Sequence, residues 1–141
     1  MANEIVVTAA KVSVIDPEKS IIKSYIAGAT ITKGQAVYCV TATGKAGLAT
    51  AAAASNLAQF RGIALCGAGA GQAVDVLEQG ELAGFTLAGN YDALVYLHDT
   101  AGVLSTAVGT VTVPVGRVAP MSDKDLTKVL RVVVSRQSTW A

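Results

Sequence analysis

The glycine-rich stretch LCGAGAGQAVDVL (65–77) has residue types that first suggest a site, because closely spaced glycines are typical of phosphate-binding loops. A dinucleotide-binding fingerprint requires G-x-G-x-x-G between a strand and a helix. Here Gly67, Gly69 and Gly71 give G-x-G-x-G ahead of a strand-like run. A Walker-type loop ends in Gly-Lys-Ser/Thr, whereas Gly71 is followed by glutamine and alanine. We therefore interpret the stretch as a bend between two strands.

Two further groups of residues have side chains suited to acid–base chemistry. His98 is the only histidine and precedes Asp99, but sequence neighbours do not orient an imidazole, and no nucleophile is identifiable as its partner. We expect His98 to be an exposed turn residue. Glu78 and Glu81 flank a hairpin turn predicted at Gln79–Gly80, where no other polar residues converge, so we expect both to be solvated.

Metal and thiol chemistry are equally poorly supported by the sequence. One histidine and two separated cysteines do not make a zinc site of known spacing, and Asp123 and Asp125 lack the glycine and glutamate of a calcium loop. Cys39 and Cys66 lie in apolar runs, which favours buried free thiols and a reducing compartment, with a disulfide as the alternative. We expect no catalytic residue, metal ligand or cofactor, and hence no enzyme.

The charge content limits the partners that the chain is expected to bind. Eleven basic and 10 acidic residues give a net charge of +1 without any charged run, so neither nucleic acid nor an anionic membrane is an expected partner. Charged residues make up 15% of the chain against roughly 25% in an average domain, which predicts that part of the surface is buried against partners. An alanine-rich monomer surface is the alternative.

No membrane span or signal peptide is expected from the hydropathy pattern. The longest uncharged run, residues 100–116, is shorter than the roughly 20 apolar residues that a spanning helix needs, and it contains glycine and proline. The N-terminal sequence has an acidic residue before its apolar run and lacks a basic n-region.

Short runs of β-favouring residues between glycine and Asn/Asp turns predict an all-β domain, an antiparallel barrel or sandwich. The predicted strands lie within residues 6–15, 21–28, 35–40, 60–66, 72–87, 92–97, 111–119 and 128–135. Only the alanine-rich segment 49–60 and an N-capped turn at 122–126 favour one or two short helical turns.

An internal echo suggests how the domain is organised. VYCVTATGKAGLATA (37–51) is similar to VYLHDTAGVLSTA (95–107), which predicts either two related halves or a coincidence of common residues. We expect residues 1–17 to form an N-terminal arm or edge strand, 18–136 the β domain, and 137–141 a C-terminal tail.

Several strand-and-turn segments follow one another in an order that covers most of the chain, about residues 20–134. They are AGATITKGQAVYCVTATGKAGLATA, FRGIAL, GQAVDVLEQGELAGF, YDALVYLHDTAGVLSTA, VGRVAP and VLRVVV. This order resembles that of small decoration, or cement, proteins of tailed-bacteriophage capsids. The resemblance implies a homotrimer, made in the host bacterial cytoplasm, that binds the outer surface of the phage head. There it would stabilise contacts between major capsid protein subunits, without a small-molecule substrate.

The N-terminal segment NEIVVTAAKVSVI (3–15) is the expected capsid-gripping element, because it lies outside the echoed halves and is set off by Asp16–Pro17. The predicted capsid or subunit contacts are Ile5, Val6, Val7, Val12, Val14 and Ile15. The alternative is that this segment is an ordinary edge strand of the domain.

Two other functions are compatible with the sequence. One is a different structural virion component, such as a tail or fibre module. The other is a small ligand-binding β-barrel, which predicts a deep pocket lined by converging polar groups.

Overall fold

Runs of valine, isoleucine and alanine, interrupted by short turns, form strands throughout the described chain. The computed structural model describes residues 5–8, 11–15, 18, 20–52, 56–87, 90–120 and 128–133. The strands are β1 (Ser13–Val14), β2 (Ile21–Ile26), β3 (Ala36–Cys39), β4 (Ala46–Leu48), β5 (Phe60–Ala64), β6 (Ala73–Ala83), β7 (Leu94–Leu97), β8 (Leu104–Ser105), β9 (Pro114–Pro120) and β10 (Lys128–Val133). The predicted all-β class is confirmed.

The strands form one antiparallel sheet that curls into a half-barrel. Its main path runs β4-β3-β5-β6-β10-β9-β7-β8, while β1 and β2 pair with β6 off this path. The strands β3, β4, β5 and β6 can be taken as the equivalents of β7, β8, β9 and β10, respectively. The strand order from one end of the sheet, β4-β3-β5-β6, then corresponds to the order from the other end, β8-β7-β9-β10. The two related halves expected from the sequence echo are therefore present in the strand order.

The pairing register shows the same correspondence between the halves. Val37 in β3 pairs with Gly62 in β5, and Val95 in β7 pairs with Gly116 in β9. In both pairs of strands the register shifts immediately after the valine. Because such irregularities redirect the strand locally, their recurrence at one position gives the two halves similar bends.

Strand β6 is 11 residues long and runs straight through the position of the predicted hairpin turn. Gln79 lies opposite Ile21 of β2 and opposite Val133 of β10, so partner strands continue on both sides. Gly80 adopts a φ of 146° within the strand, a conformation that glycine tolerates and other residues rarely adopt. The hairpin predicted at Gln79–Gly80 is therefore wrong.

The interior consists of two hydrophobic clusters, and β6 contributes to both because successive side chains on a strand face opposite sides. Val76 belongs to the smaller cluster and Leu77 to the larger one. The smaller cluster contains Tyr25, Ala27, Ile31, Val37, Ala46, Ala64, Ala68, Val74 and Val76. The largest fully buried side chains of the larger cluster include Ile63, Leu77, Leu82, Leu97, Leu104 and Leu130.

The connections also bear on the sequence predictions. As predicted, the glycine stretch forms the bend between β5 and β6. Within this bend Ala68 makes an isolated bridge to Ile31. Within the alanine-rich segment, Asn56–Ala58 forms a single 3-10 turn. The predicted turn at 122–126 and the tail 137–141 lie outside the described residues.

Candidate interaction surfaces

The described parts of the N-terminal segment, residues 5–8 and 11–15, are hydrogen-bonded to the domain. The Ile5 amide donates to the carbonyl of Leu104 in β8 at 2.9 Å, and the Thr8 amide donates to the carbonyl of Gly84 at 2.8 Å. These bonds join the backbone at Ile5 and Thr8 to the rest of the domain.

The six predicted contact residues of this segment differ in their exposure. Ile5 and Val12 are buried in the larger cluster, Val7 and Val14 are partly buried against it, Ile15 is partly buried, and Val6 is 63% exposed. In this fold Ile5 and Val12 therefore face the core, and only Val6 of the six has a mostly exposed side chain.

Strand β2 has a different character from the N-terminal segment, because three of its six residues are exposed isoleucines. Ile21, Ile22 and Ile26 are each about half exposed, with values of 53%, 43% and 46%. Among the described residues β2 pairs with β6 and no other strand, and the isolated bridge from Ala27 to Ala46 lies just beyond its end. We call the outer side of β2, with these isoleucines, the isoleucine edge.

At alternate residues of β2, the backbone groups of the isoleucine edge face away from β6. The Ala27 amide donates to the carbonyl of Gln72 at 2.8 Å, which places Ala27 in a hydrogen-bonded pair. Since antiparallel partners alternate between hydrogen-bonded and non-hydrogen-bonded pairs, Ile22, Ser24 and Ile26 direct their N–H and C=O groups away from β6. The parallel bridge between Ala27 and Ala46, in which the Gly28 amide donates to the Ala46 carbonyl at 2.8 Å, covers this edge at its Ile26 end. Among the described residues, Ile22 and Ser24 therefore offer the open stretch of edge that can accept a further strand.

A buried tyrosine fixes β2 behind this edge. The Tyr25 hydroxyl donates to Oε2 of Glu78 at 2.7 Å, and the Lys23 ammonium lies 5.6 Å from the centre of the Tyr25 ring. Burial, followed by the hydrogen bond and the charge of Glu78, raises the pKa of Tyr25 above its ordinary value. On the opposite face of β2, the Ser24 hydroxyl donates to Oδ1 of Asp75 at 2.6 Å. Both bonds hold β2 against β6.

A second surface lies on β7, β9 and β10, where a groove of about 410 Å³ contains two arginines. Arg117 of β9 lies directly opposite Arg131 of β10, and both side chains are exposed. The Arg117 Nη1 donates to the carbonyl of Asp92 at 2.8 Å. The residues that line this arginine groove are Leu94, Pro114, Gly116, Arg117, Arg131 and Val133.

The predicted catalytic candidates are not brought together. Glu78 accepts the Tyr25 hydroxyl, whereas Glu81 lies opposite Arg131 further along β6. His98 is only 7% exposed, so its prediction as an exposed turn residue is wrong. Its Nδ1 accepts the Thr100 amide at 2.9 Å, a local bond that closes the turn after β7.

Asp99, next to His98, also stabilises this region. Its Oδ2 accepts the Thr110 hydroxyl at 2.6 Å and its Oδ1 accepts the Thr110 amide at 2.8 Å. These two bonds, the hydroxyl bond foremost, hold the pKa of Asp99 below its ordinary value. The carboxylate thus ties the turn after β7 to the segment that leads into β9.

Cys39 and Cys66 are both free, as predicted, and not joined in a disulfide, but they are only partly buried rather than buried. Within the described ranges, no three histidine, cysteine or acidic side chains are grouped as a metal site would require. The same part of the chain contains no helix that is long and apolar enough to cross a membrane.

Comparison of the chain with protein-family models, with curated proteins and with solved structures found no match in any of the three.

Sequence reasoning missed both surfaces, although a signal for each is visible in retrospect. The doubled isoleucine at Ile21–Ile22 breaks the alternation expected of a strand with one polar face. Arg117 and Arg131 each interrupt an apolar run, but they are 14 positions apart, and only the pairing of β9 with β10 places them side by side.

Proposed function

We propose that this protein is a structural component of a tailed-phage head. It binds the outer surface of the capsid and stabilises contacts between major capsid protein subunits. The isoleucine edge carries the proposal, because it combines outward-facing backbone groups with the exposed side chains of Ile21, Ile22 and Ile26. The order of strand and turn segments in the sequence, which resembles that of capsid decoration proteins, supports the same assignment.

The edge suits a contact that must resist force. An extended capsid segment added alongside β2 forms backbone hydrogen bonds with Ile22 and Ser24, whatever its own sequence. The isoleucine side chains lose their exposed area in the same step, which adds a hydrophobic contribution of about 25 cal/mol per Å² of buried apolar surface. Because the bonds are distributed along a strand, no deep pocket is needed.

A homotrimer strengthens such a contact without any new chemistry. Once one subunit is bound, the other two are held near their own sites at a high effective concentration, so modest single contacts give firm attachment. The low charge content, 15% of residues, is compatible with a surface that is partly covered by subunits and capsid. The proposed partners are thus the major capsid protein and further copies of this chain, and no cofactor takes part.

The test uses expanded, DNA-free heads of the phage that encodes the chain, stripped of this protein. We expect the purified full-length protein to sediment with these heads at saturable stoichiometry, and the decorated heads to withstand a higher temperature than bare ones. Absence of binding to expanded heads would overturn the proposal. Binding to purified tails instead would favour the tail-module alternative.

A further inference from the structure

One row of cross-strand neighbours is buried in the first half of the domain, whereas the equivalent row in the second half is exposed. In the first half, Ala36, Ile63 and Leu77 are cross-strand neighbours on β3, β5 and β6, and all three are fully buried. The pairing of Val37 with Gly62 and of Val95 with Gly116 identifies the matching row in the second half.

The matching row in the second half consists of Leu94, Arg117 and Arg131 on β7, β9 and β10. All three side chains are exposed, and they line the arginine groove together with Val133, which is 44% exposed. A row that is covered by protein in one half is therefore uncovered in the other.

Charge determines what fits this uncovered row. Like charges directly opposite each other on neighbouring strands destabilise a sheet, and Arg117 faces Arg131 in this way. Glu81 lies on the far side of Arg131, yet within the described residues neither arginine forms an ion pair with a carboxylate. A carboxylate placed between the two guanidinium groups relieves their repulsion and accepts charge-assisted hydrogen bonds from both.

Arg117 is already positioned for this role. Its Nη1 is bound to the carbonyl of Asp92, which restrains the guanidinium while leaving its other N–H groups as donors. Restraining a side chain before binding reduces the entropy that is lost when the ligand arrives.

We propose that the arginine groove is a docking site for an acidic segment of a partner protein, one in which a carboxylate is flanked by apolar side chains. The carboxylate bridges Arg117 and Arg131, and the apolar neighbours pack on Leu94 and Val133. Nucleic acid fits less well, because none of the described residues that line the groove is aromatic, as base stacking would require, and its rim is apolar. This site is separate from the isoleucine edge, so either proposal can fail without the other.

The test is a titration of the ¹⁵N-labelled full-length protein with the peptide acetyl-Leu-Glu-Val-Asp-Leu-amide, followed by NMR. We expect amide shifts concentrated on β9 and β10, saturating below about 5 mM peptide. Arg131→Gln is expected to weaken binding at least about tenfold, whereas Lys45→Gln removes the same charge from the β3–β4 turn and leaves it unchanged. Leu94→Ser, which keeps both arginines, is expected to weaken binding severalfold.

The neutral peptide with glutamine and asparagine in place of its acidic residues should not bind. Equal binding of the neutral peptide would overturn the proposal. The absence of amide shifts with the acidic peptide would also overturn it, and would indicate that the two arginines only keep the surface soluble. Inorganic phosphate that shifts the same amides at the same concentration would also overturn it, since the groove would then select a free anion. Because Arg131→Gln removes a repulsion, its melting temperature is expected to be no lower than that of the wild type, which verifies the fold.

Discussion

Gly62 and Gly116 occupy equivalent positions in the two halves, and each lies against the carbonyl of the strand that follows. A Cβ built on Gly62 would collide with the carbonyl oxygen of Leu77, and one built on Gly116 would collide with that of Arg131. These are close backbone approaches between β5 and β6 and between β9 and β10. Because glycine is required at both positions for the same steric reason, the two halves of the domain are related in their packing as well as in their sequence.

Gly116→Ala is therefore expected to lower the free energy of unfolding by about 2–4 kcal/mol, because β9 and β10 must separate to admit the methyl group. Urea denaturation of the full-length protein measures the change. Gly67→Ala is the control, since its Cβ would meet nothing closer than 3.7 Å and is expected to change stability by about 0.5 kcal/mol or less. Equal stability of the two variants would contradict the close packing of β9 on β10.

Replacing the isoleucines of the edge should separate binding from folding. Ile22→Lys with Ile26→Lys adds charge to an exposed strand, which is how natural edge strands avoid pairing, so head binding is expected to be lost. The control is Val108→Lys, which alters a side chain of similar exposure, 52%, outside the strands. Circular dichroism should show folded protein for both. Full head binding by the double variant would exclude the isoleucine edge as the contact.

The Tyr25–Glu78 bond predicts an alkaline loss of stability. The pKa of Tyr25 is raised in the folded protein, so the protonated phenol stabilises the fold fully below the unfolded-state pKa of about 10. As pH rises above that value, the unfolded chain releases the proton first and the contribution declines. The stability advantage of the wild type over Tyr25→Phe should therefore shrink from pH 9 to pH 11 in urea denaturation. A constant difference over this range would be incompatible with the buried bond.

The hydrogen bonds between Asp99 and Thr110 predict that the stability of the fold decreases at acid pH. Its pKa is depressed in the folded protein by the Thr110 bonds, so the stabilisation is present above the unfolded-state pKa of about 3.9 and is lost as pH falls through the folded value. Asp99→Asn should be less stable than the wild type at pH 7, with a difference that disappears in thermal melts at low pH. Thr110→Ser keeps the hydroxyl donor and should behave like the wild type. An undiminished difference at low pH would contradict the assigned bonds.

Local sequence patterns predicted the strands well where one face of each is buried. The runs at 21–28, 35–40 and 60–66 contain β2, β3 and β5, because alternation reports which side of a strand faces the core. The echo between the halves was also visible, since the turn residues that shape each hairpin recur along the chain. What these patterns encode is local geometry.

The errors and omissions arose where distant strands decide the outcome. Gln79–Gly80 has the composition of a turn, but β10 pairs with both residues and β2 pairs with Gln79, which keeps β6 extended. His98 is buried by packing that its neighbours in sequence do not reveal. The pairing of Arg117 with Arg131 depends on the register of β9 against β10, which no local pattern specifies.

Addition of a capsid strand to β2 is tested most directly by amide hydrogen exchange of the head-bound protein. Residue-level mass spectrometry would compare amide exchange in free and bound protein. We expect the outward-facing amides of Ile22 and Ser24 to exchange at least about tenfold more slowly when the protein is bound, with little change at Lys23 and Tyr25, whose amides already face β6. Unchanged exchange along β2 in protein that remains attached to heads would contradict the claim.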